Sequence, residues 1–228
     1  MSATDSPTHP YGPWVRRLIR TGGANKPELL SQLERAGIRL NEAARELFVD
    51  DRFTTSTVSS LIEVAELSVA SLSFHNGATI AQIVEQAAAL GLSLCPLELG
   101  PHFRLQYTDQ PEGFLGQPPS QHRAPPGSVT VASAPLDEDE DAPKGFYLRT
   151  IEGTLWLRGY RSWAGHIWSP EDIFVFSRLH NATKKHPSGE ATMRSARLCE
   201  VDDPKISYDG VRQREALFLV TKPAQNGS

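Results

Sequence analysis

The stretch Lys144–Tyr160, KGFYLRTIEGTLWLRGY, decides how the rest of the chain is read. Two strand-like runs, Phe146–Ile151 and Thr154–Tyr160, flank Glu152-Gly153. A two-residue connection with glycine second suits a type I′ hairpin turn, although Glu is a poorer first residue than Asn or Asp. In that register Thr150 faces Leu155, Leu148 faces Leu157 and Phe146 faces Gly159. Side chains alternate along a strand, so these residues form one apolar face. The other face carries Tyr147 and Arg149 opposite Arg158 and Trp156. A slip by one residue would mix the two sets, which specifies the register strongly. A lone hairpin is marginal in water, so other elements must cover Phe146, Leu148, Leu155 and Leu157. The outward face has two uses. Its guanidiniums and rings can simply pack on one another at a sheet surface, or they can stack bases and hold phosphates.

Upstream, Ser128–Ala134 alternates as another strand, and Phe103–Tyr107 reads as a strand with Phe103, Leu105 and Tyr107 on one side. A one-turn helix at Pro96–Leu99 is expected to stop at Gly100-Pro101. The segment 110–127 is a long Pro- and Gly-bearing loop, a kind that often carries function. Thr79 and Gln82 form a capping box that opens a helix over 79–90, with Ile80, Ile83, Val84, Ala87 and Leu90 on one stripe. A strand falls near 61–67. Before it, Asn25-Lys26-Pro27-Glu28 and Asn41 start two helices, read together as a helical hairpin over 25–56. Residues 1–24 read as a poorly ordered N-terminus with a short amphipathic helix at 14–20 that ends at Gly22-Gly23. Downstream, Ser169–Asp172 makes a single turn before a strand at 173–178. Residues 181–214 are a polar segment, and 215–221 make a last strand. The core domain thus spans 57–180, and 181–228 add the polar loop, the last strand and a tail. The fold class that results is α+β: an N-terminal helical hairpin and one long helix packed on a mainly antiparallel sheet.

Composition bounds the chemistry. The chain has 228 residues, a formal net charge of −4 and two cysteines, Cys95 and Cys199, far apart. Overall charge does not draw nucleic acid, so any such contact must be local. The cysteines read as free thiols, Cys95 buried, and not as a disulfide framework or zinc site. No apolar run approaches a membrane span and no signal-peptide core opens the chain, which points to a cytoplasmic location without membrane contact. The short strands leave sheet edges on which a homodimer would form.

Catalytic patterns are scarce. No phosphate-binding loop, dinucleotide glycine pattern, GxSxG elbow or HExxH occurs. The acidic run Asp137–Asp141 lacks the spacing and glycine turn of a calcium loop and reads as solvated. His180 and His186 fall in a polar segment. If the 100–127 loop folds back, Glu98, His102 and Arg104 can converge with Asp109 and His122 as an acid, a base and an anion anchor. Alternatively Glu98 and His102 cap a turn and Arg104 makes a surface ion pair.

Three stretches, GLSLCPLELGPHFRLQYTDQPEG (91–113), APPGSVTVASAPL (124–136) and PKGFYLRTIEGTLWLRGYRS (143–162), resemble a family of uncharacterised bacterial proteins, some of which carry the description helicase. The resemblance covers about residues 30–178 and implies no established activity, so it transfers no functional residue. A helicase needs a phosphate cradle and a magnesium-binding carboxylate, and no such cradle is present. The leading expectation is a non-catalytic binding or interaction module. Its surface would be Tyr147, Arg149, Trp156 and Arg158, with His122 and Arg123 from the loop. Its partner would be a protein, a small anionic ligand or single-stranded nucleic acid. The alternatives are a hydrolase or nuclease using Glu98, His102 and Arg104, and a stress or defence accessory protein that acts through a partner. No metal centre is expected, and no cofactor is indicated.

Overall fold

A computed structural model describes residues 14–113 and 125–178, all within one compact unit. His122, Arg123, His180, His186 and the strand expected at 215–221 lie outside the described residues, as do the first thirteen residues and most of the 110–127 loop. The described elements run β1 (Val15–Thr21), α1 (Lys26–Arg35), β2 (Arg39–Leu40), α2 (Glu42–Val49), β3 (Ser60–Ser68), α3 (Ile80–Ala89), β4 (Leu92–Ser93), α4 (Leu99–Gln106), β5 (Val129–Val131), β6 (Gly145–Ile151), β7 (Thr154–Tyr160) and β8 (Ile173–Arg178). The eight strands form one sheet in the order β1-β3-β8-β5-β6-β7-β2, with β4 also paired to β8. The β5–β8 and β2–β7 pairs are parallel and the rest antiparallel, so the α+β class and the mainly antiparallel sheet hold.

The hairpin forms in the expected register: Phe146 faces Gly159, Leu148 faces Leu157 and Thr150 faces Leu155. Its turn places both Glu152 (φ 49°) and Gly153 (φ 68°) in the left-handed region, as a type I′ turn demands. Glu152 carries that strain on a side chain with no special aptitude for it. Phe146, Leu148 and Leu157 are fully buried. They join Ile19, Val64, Val129 and Val175 from the sheet and Leu33, Leu47, Phe48, Leu99 and Phe103 from α1, α2 and α4 in one core. Phe48, Phe53 and Phe146 close its centre, with ring centroids 5.5–5.9 Å apart. On the opposite side of the sheet a second core gathers Leu67, Phe174, Phe176 and Trp168 beneath Ile83 and Ala87 of α3.

Four expectations need correction. Val15–Thr21 is an edge strand paired along its length with β3, not a helix. Ile19 and Thr21 point inward on a two-residue period, and Arg17 is held by Glu66 at 3.1 Å and lies 4.0 Å over the Tyr107 ring. The two helices after Gly23 form, the first capped by Asn25, one of the two candidates Asn25 and Lys26, and the second by Asn41 as expected, but they are not a simple hairpin. Arg39–Leu40 between them pairs with β7, α1 packs on α4, and α2 packs on β7. The helix over 79–90 forms with its capping box, yet at ten residues it is no longer than α1. Finally, the strand expected at 103–107 is the second half of α4. Pro101 sits in the first turn of that helix, where its missing N–H has no intrahelical acceptor to lose. Gly100 lets α4 lie flat on the hairpin, since a Cβ there would come 2.7 Å from the Phe146 ring. Phe103 and Tyr107, four apart, then stack at 5.4 Å instead of alternating across a strand.

The edges invoked for a homodimer are β1 and β2. β1 carries Arg16, Arg17 and Arg20, and β2 is two residues long. Charge and shortness are both devices that blunt edge pairing, so neither edge argues for a dimer. No described helix is long and apolar enough to cross a membrane.

Candidate functional site

The hairpin's outward face is built by the register alone. Arg149 lies opposite Trp156 and Tyr147 opposite Arg158. The parallel pairing of β2 adds Arg39 beside Trp156, which extends the row to the sheet edge. The Arg158 guanidinium is 5.2 Å from the Trp156 ring and 5.9 Å from the Tyr147 ring, and Arg39 is 5.8 Å from Trp156 on the other side. The described helices that pack against β6 and β7 are α2 and α4, both on the far side of the sheet. Arg39 is exposed, whereas Tyr147, Trp156 and Arg158 are half-buried and Arg149 is 7% exposed. The Nε atoms of Arg149 and Arg158 are buried without a hydrogen-bond partner.

The face carries uncompensated positive charge. Ion pairs among the described residues engage Arg17, Arg52, Arg161 and Arg178. None reaches Arg39, Arg149 or Arg158, so three guanidiniums cluster without a paired carboxylate. Burial lowers the pKa of Arg149, with Tyr147 opposing and Arg158 adding to the fall. Burial likewise raises the Tyr147 hydroxyl, which stays neutral. Beside Trp156 an open groove of about 670 Å³ is bordered by Leu30, Glu34, Ile38, Arg39 and Arg45.

The residues of the α4 group do not converge. Glu98 and His102 are four apart and share one side of the helix, while Arg104 points the other way. Glu98 Oε2 accepts the Ser56 N–H at 2.9 Å, and His102 Nε2 accepts the Gly22 N–H at 3.0 Å. Both side chains are buried and occupied in closing the turns at Gly22 and Ser56. Burial lowers the pKa of His102, and Glu98 opposes the shift. Arg104 is fully buried and donates through Nη1 to Gln110 Oε1 at 2.5 Å, leaving Nε and Nη2 unpartnered. Burial lowers its pKa to about 10. Gln110 in turn donates to the carbonyls of Gly127 and Leu148, and its own carbonyl accepts from Thr150 Oγ1, which ties the loop's start to its end and to β6. Arg104 is thus a buried strut between helix and hairpin, and Asp109 is exposed. The surface ion pair expected for Arg104 is absent among the described residues.

Among the described residues no group of three or more His, Cys, Asp or Glu side chains could hold a metal ion. Arg39 is the one member of the outward face that sequence reasoning missed, because a two-residue strand leaves no periodic signal. Its only trace was position, two residues before the Asn41 cap. No family model, curated protein or solved structure matches the chain.

Proposed function

We propose that this chain is a non-catalytic binding module whose hairpin face takes an anionic ligand bearing flat rings, with single-stranded nucleic acid as the polymer that meets both demands. One observation carries the reading: Arg39, Arg149 and Arg158 interleave with Trp156 and Tyr147 on the side of the hairpin away from the described helices α2 and α4, without a paired carboxylate among the described residues. Bases stack on exposed ring faces with little regard for sequence, and guanidiniums hold the phosphates between them. The net charge of −4 leaves the attraction to this local patch, so binding should weaken steeply with salt. Membership of the bacterial family that the chain resembles, and a cytoplasmic location, belong to this proposal and add no activity to it. The hydrolase or nuclease alternative has no comparable support, since Glu98 and His102 are committed to backbone N–H groups and Arg104 faces away from them.

The test is fluorescence anisotropy of a labelled oligothymidylate against the full chain over a salt series. Arg39→Ala and Arg158→Ala should each weaken binding and flatten the salt slope by about one unit. Trp156→Ala should remove about 1–3 kcal/mol of stacking. Arg39 and Arg158 are better probes than Arg149, whose burial makes its loss a test of the fold as well. A parent chain that does not bind, or variants that bind as the parent does, would end the reading.

A further inference from the structure

A second, smaller cavity of about 180 Å³ lies where the acidic loop returns to the start of β6. Ser133, Glu138, Glu140, Lys144, Tyr160 and Trp163 line it, with Ile80 and Pro135 as apolar walls. Drug-sized pockets run to about 300–1,000 Å³, so this one admits only a small group. Its mouth is acidic. Of the run Asp137–Asp141, Asp137 is paired with Arg52 at 2.9 Å, but no ion pair among the described residues reaches Glu138 or Glu140. Lys144 also lines the cavity, its ammonium held by the carbonyls of Asp137 at 2.9 Å and Asp139 at 2.6 Å, so one positive charge stands against the two carboxylates and the lining stays acidic by one charge.

The inner end of the cavity has an unmet demand. Ser133 is 9% exposed, and its buried Oγ has no hydrogen-bond partner. A buried hydroxyl without a partner is costly unless something supplies one. Gly145 keeps the space beside it open: a Cβ there would come 2.9 Å from Ser133 Oγ and 3.6 Å from the Tyr160 hydroxyl. Burial raises the pKa of Tyr160, so that ring stays uncharged. The cavity therefore combines an unused hydroxyl, two carboxylates against one ammonium, two aromatic rings and aliphatic walls. Carboxylates and rings both favour a cation. An unused hydroxyl oxygen further favours a cation that carries N–H groups to donate to it, which a quaternary ammonium lacks.

We propose that this cavity binds a protonated primary amine on a short aliphatic stem, with the ammonium reaching Ser133 Oγ and the stem lying between Ile80 and Pro135. The inference stands apart from the hairpin reading. The amine can come as a free small molecule or as a lysine side chain, and the test separates the two. The full chain is titrated with n-butylammonium, with the N-acetylated, C-amidated tripeptide Gly-Lys-Gly and with tetramethylammonium at matched ionic strength, followed by calorimetry and ligand-observed NMR. Butylammonium should bind in the millimolar range, and tetramethylammonium about tenfold more weakly, the ratio expected for one charge-assisted hydrogen bond. Tripeptide binding at the same strength assigns a lysine side chain, and its exclusion assigns a free amine. Ser133→Ala should weaken butylammonium binding about tenfold without lowering the melting temperature, since it removes a hydroxyl that has no partner in the free protein. Glu138→Gln with Glu140→Gln should weaken it too, while Arg158→Ala leaves it unchanged. The proposal is overturned by absent butylammonium binding, by tetramethylammonium binding equally well, or by Ser133→Ala binding as the parent does.

Discussion

Gly159→Ala probes the joint between helix and hairpin directly. Gly159 sits on β7 opposite Phe146, and α2 comes down on it. A Cβ there would fall 2.5 Å from Ala43 C, 2.7 Å from Ala44 N and 2.8 Å from Ala43 O, all backbone of the first turn of α2. No side chain can rotate away, so the helix must lift. Lifting it breaks a second set of contacts, because Asn41 donates to the Gly159 carbonyl at 2.9 Å and accepts its N–H at 2.8 Å while capping α2 through Ala44 N at 3.0 Å. Overpacking costs about 1–3 kcal/mol. Weakening two hydrogen bonds adds about 1 kcal/mol each, for a total of roughly 3–5 kcal/mol. The assay is urea unfolding followed by tryptophan fluorescence, with two glycines as controls. Gly91 has φ +76° and nothing within 4 Å of a built Cβ, so Gly91→Ala should cost only the left-handed backbone penalty of about 1–2 kcal/mol. Gly165→Ala meets only the Trp163 side chain at 3.4 Å and should cost below about 0.5 kcal/mol. If Gly159→Ala proves no worse than Gly91→Ala, the close approach is not what holds α2 in place.

Leu157→Ala should cost about 2–5 kcal/mol as a fully buried truncation, and Arg158→Ala far less; the reverse order in the same urea assay would mean that the faces are swapped. His102 must be neutral at Nε2 to accept the Gly22 N–H, and burial holds its pKa below 6.5, so it contributes stability above pH 6.5 that is lost as pH falls from there through its folded value. Melting temperatures should therefore drop less between pH 7 and pH 5 (on the order of the histidine titration range) for His102→Gln than for the parent, and equal drops would refute that origin. Cys95 is buried and its thiol pKa is raised by that burial, so in a Cys199→Ser background it should react with a thiol reagent only as fast as the protein opens; rapid labelling of the native chain would contradict its position.

The hairpin was readable to the residue because two-residue alternation, a glycine in the turn and a one-sided apolar set all favour the same pairing. The Asn41 and Thr79 caps were readable for a similar reason, and the first helix's cap to within the pair Asn25 and Lys26: a capping side chain three residues before its N–H is a local signal. β1 was misread because three arginines among four apolar or small residues fit a helical stripe as well as a strand, and only pairing with β3 decides between them. α4 was misread because Phe103, Leu105 and Tyr107 alternate, while the helix is set by contacts distant in sequence, above all Gly100 against Phe146. The same helical turn explains the α4 cluster: residues 98 and 102 share a side and 104 cannot join them. Arg149 and Trp156 were placed correctly opposite each other, but their degree of burial depends on what packs around them and left no trace in the periodicity.

The position of β8 bears on how the chain acquires its structure. The last described strand does not lie at the margin of the sheet but between β3 and β5, antiparallel to the first and parallel to the second. During synthesis the 145–160 hairpin can form as soon as it emerges, being local, and β1 can pair with β3. The halves they belong to, however, present facing unpaired edges until residues 173–178 arrive to join them. Pairings between segments so distant in the chain are slow to close, and nascent sheets with open inner edges are prone to associate with one another. Ribosome-bound chains halted before Ile173 should therefore be protease-sensitive and dependent on chaperones, and release of one more short strand should convert them cooperatively into a resistant form.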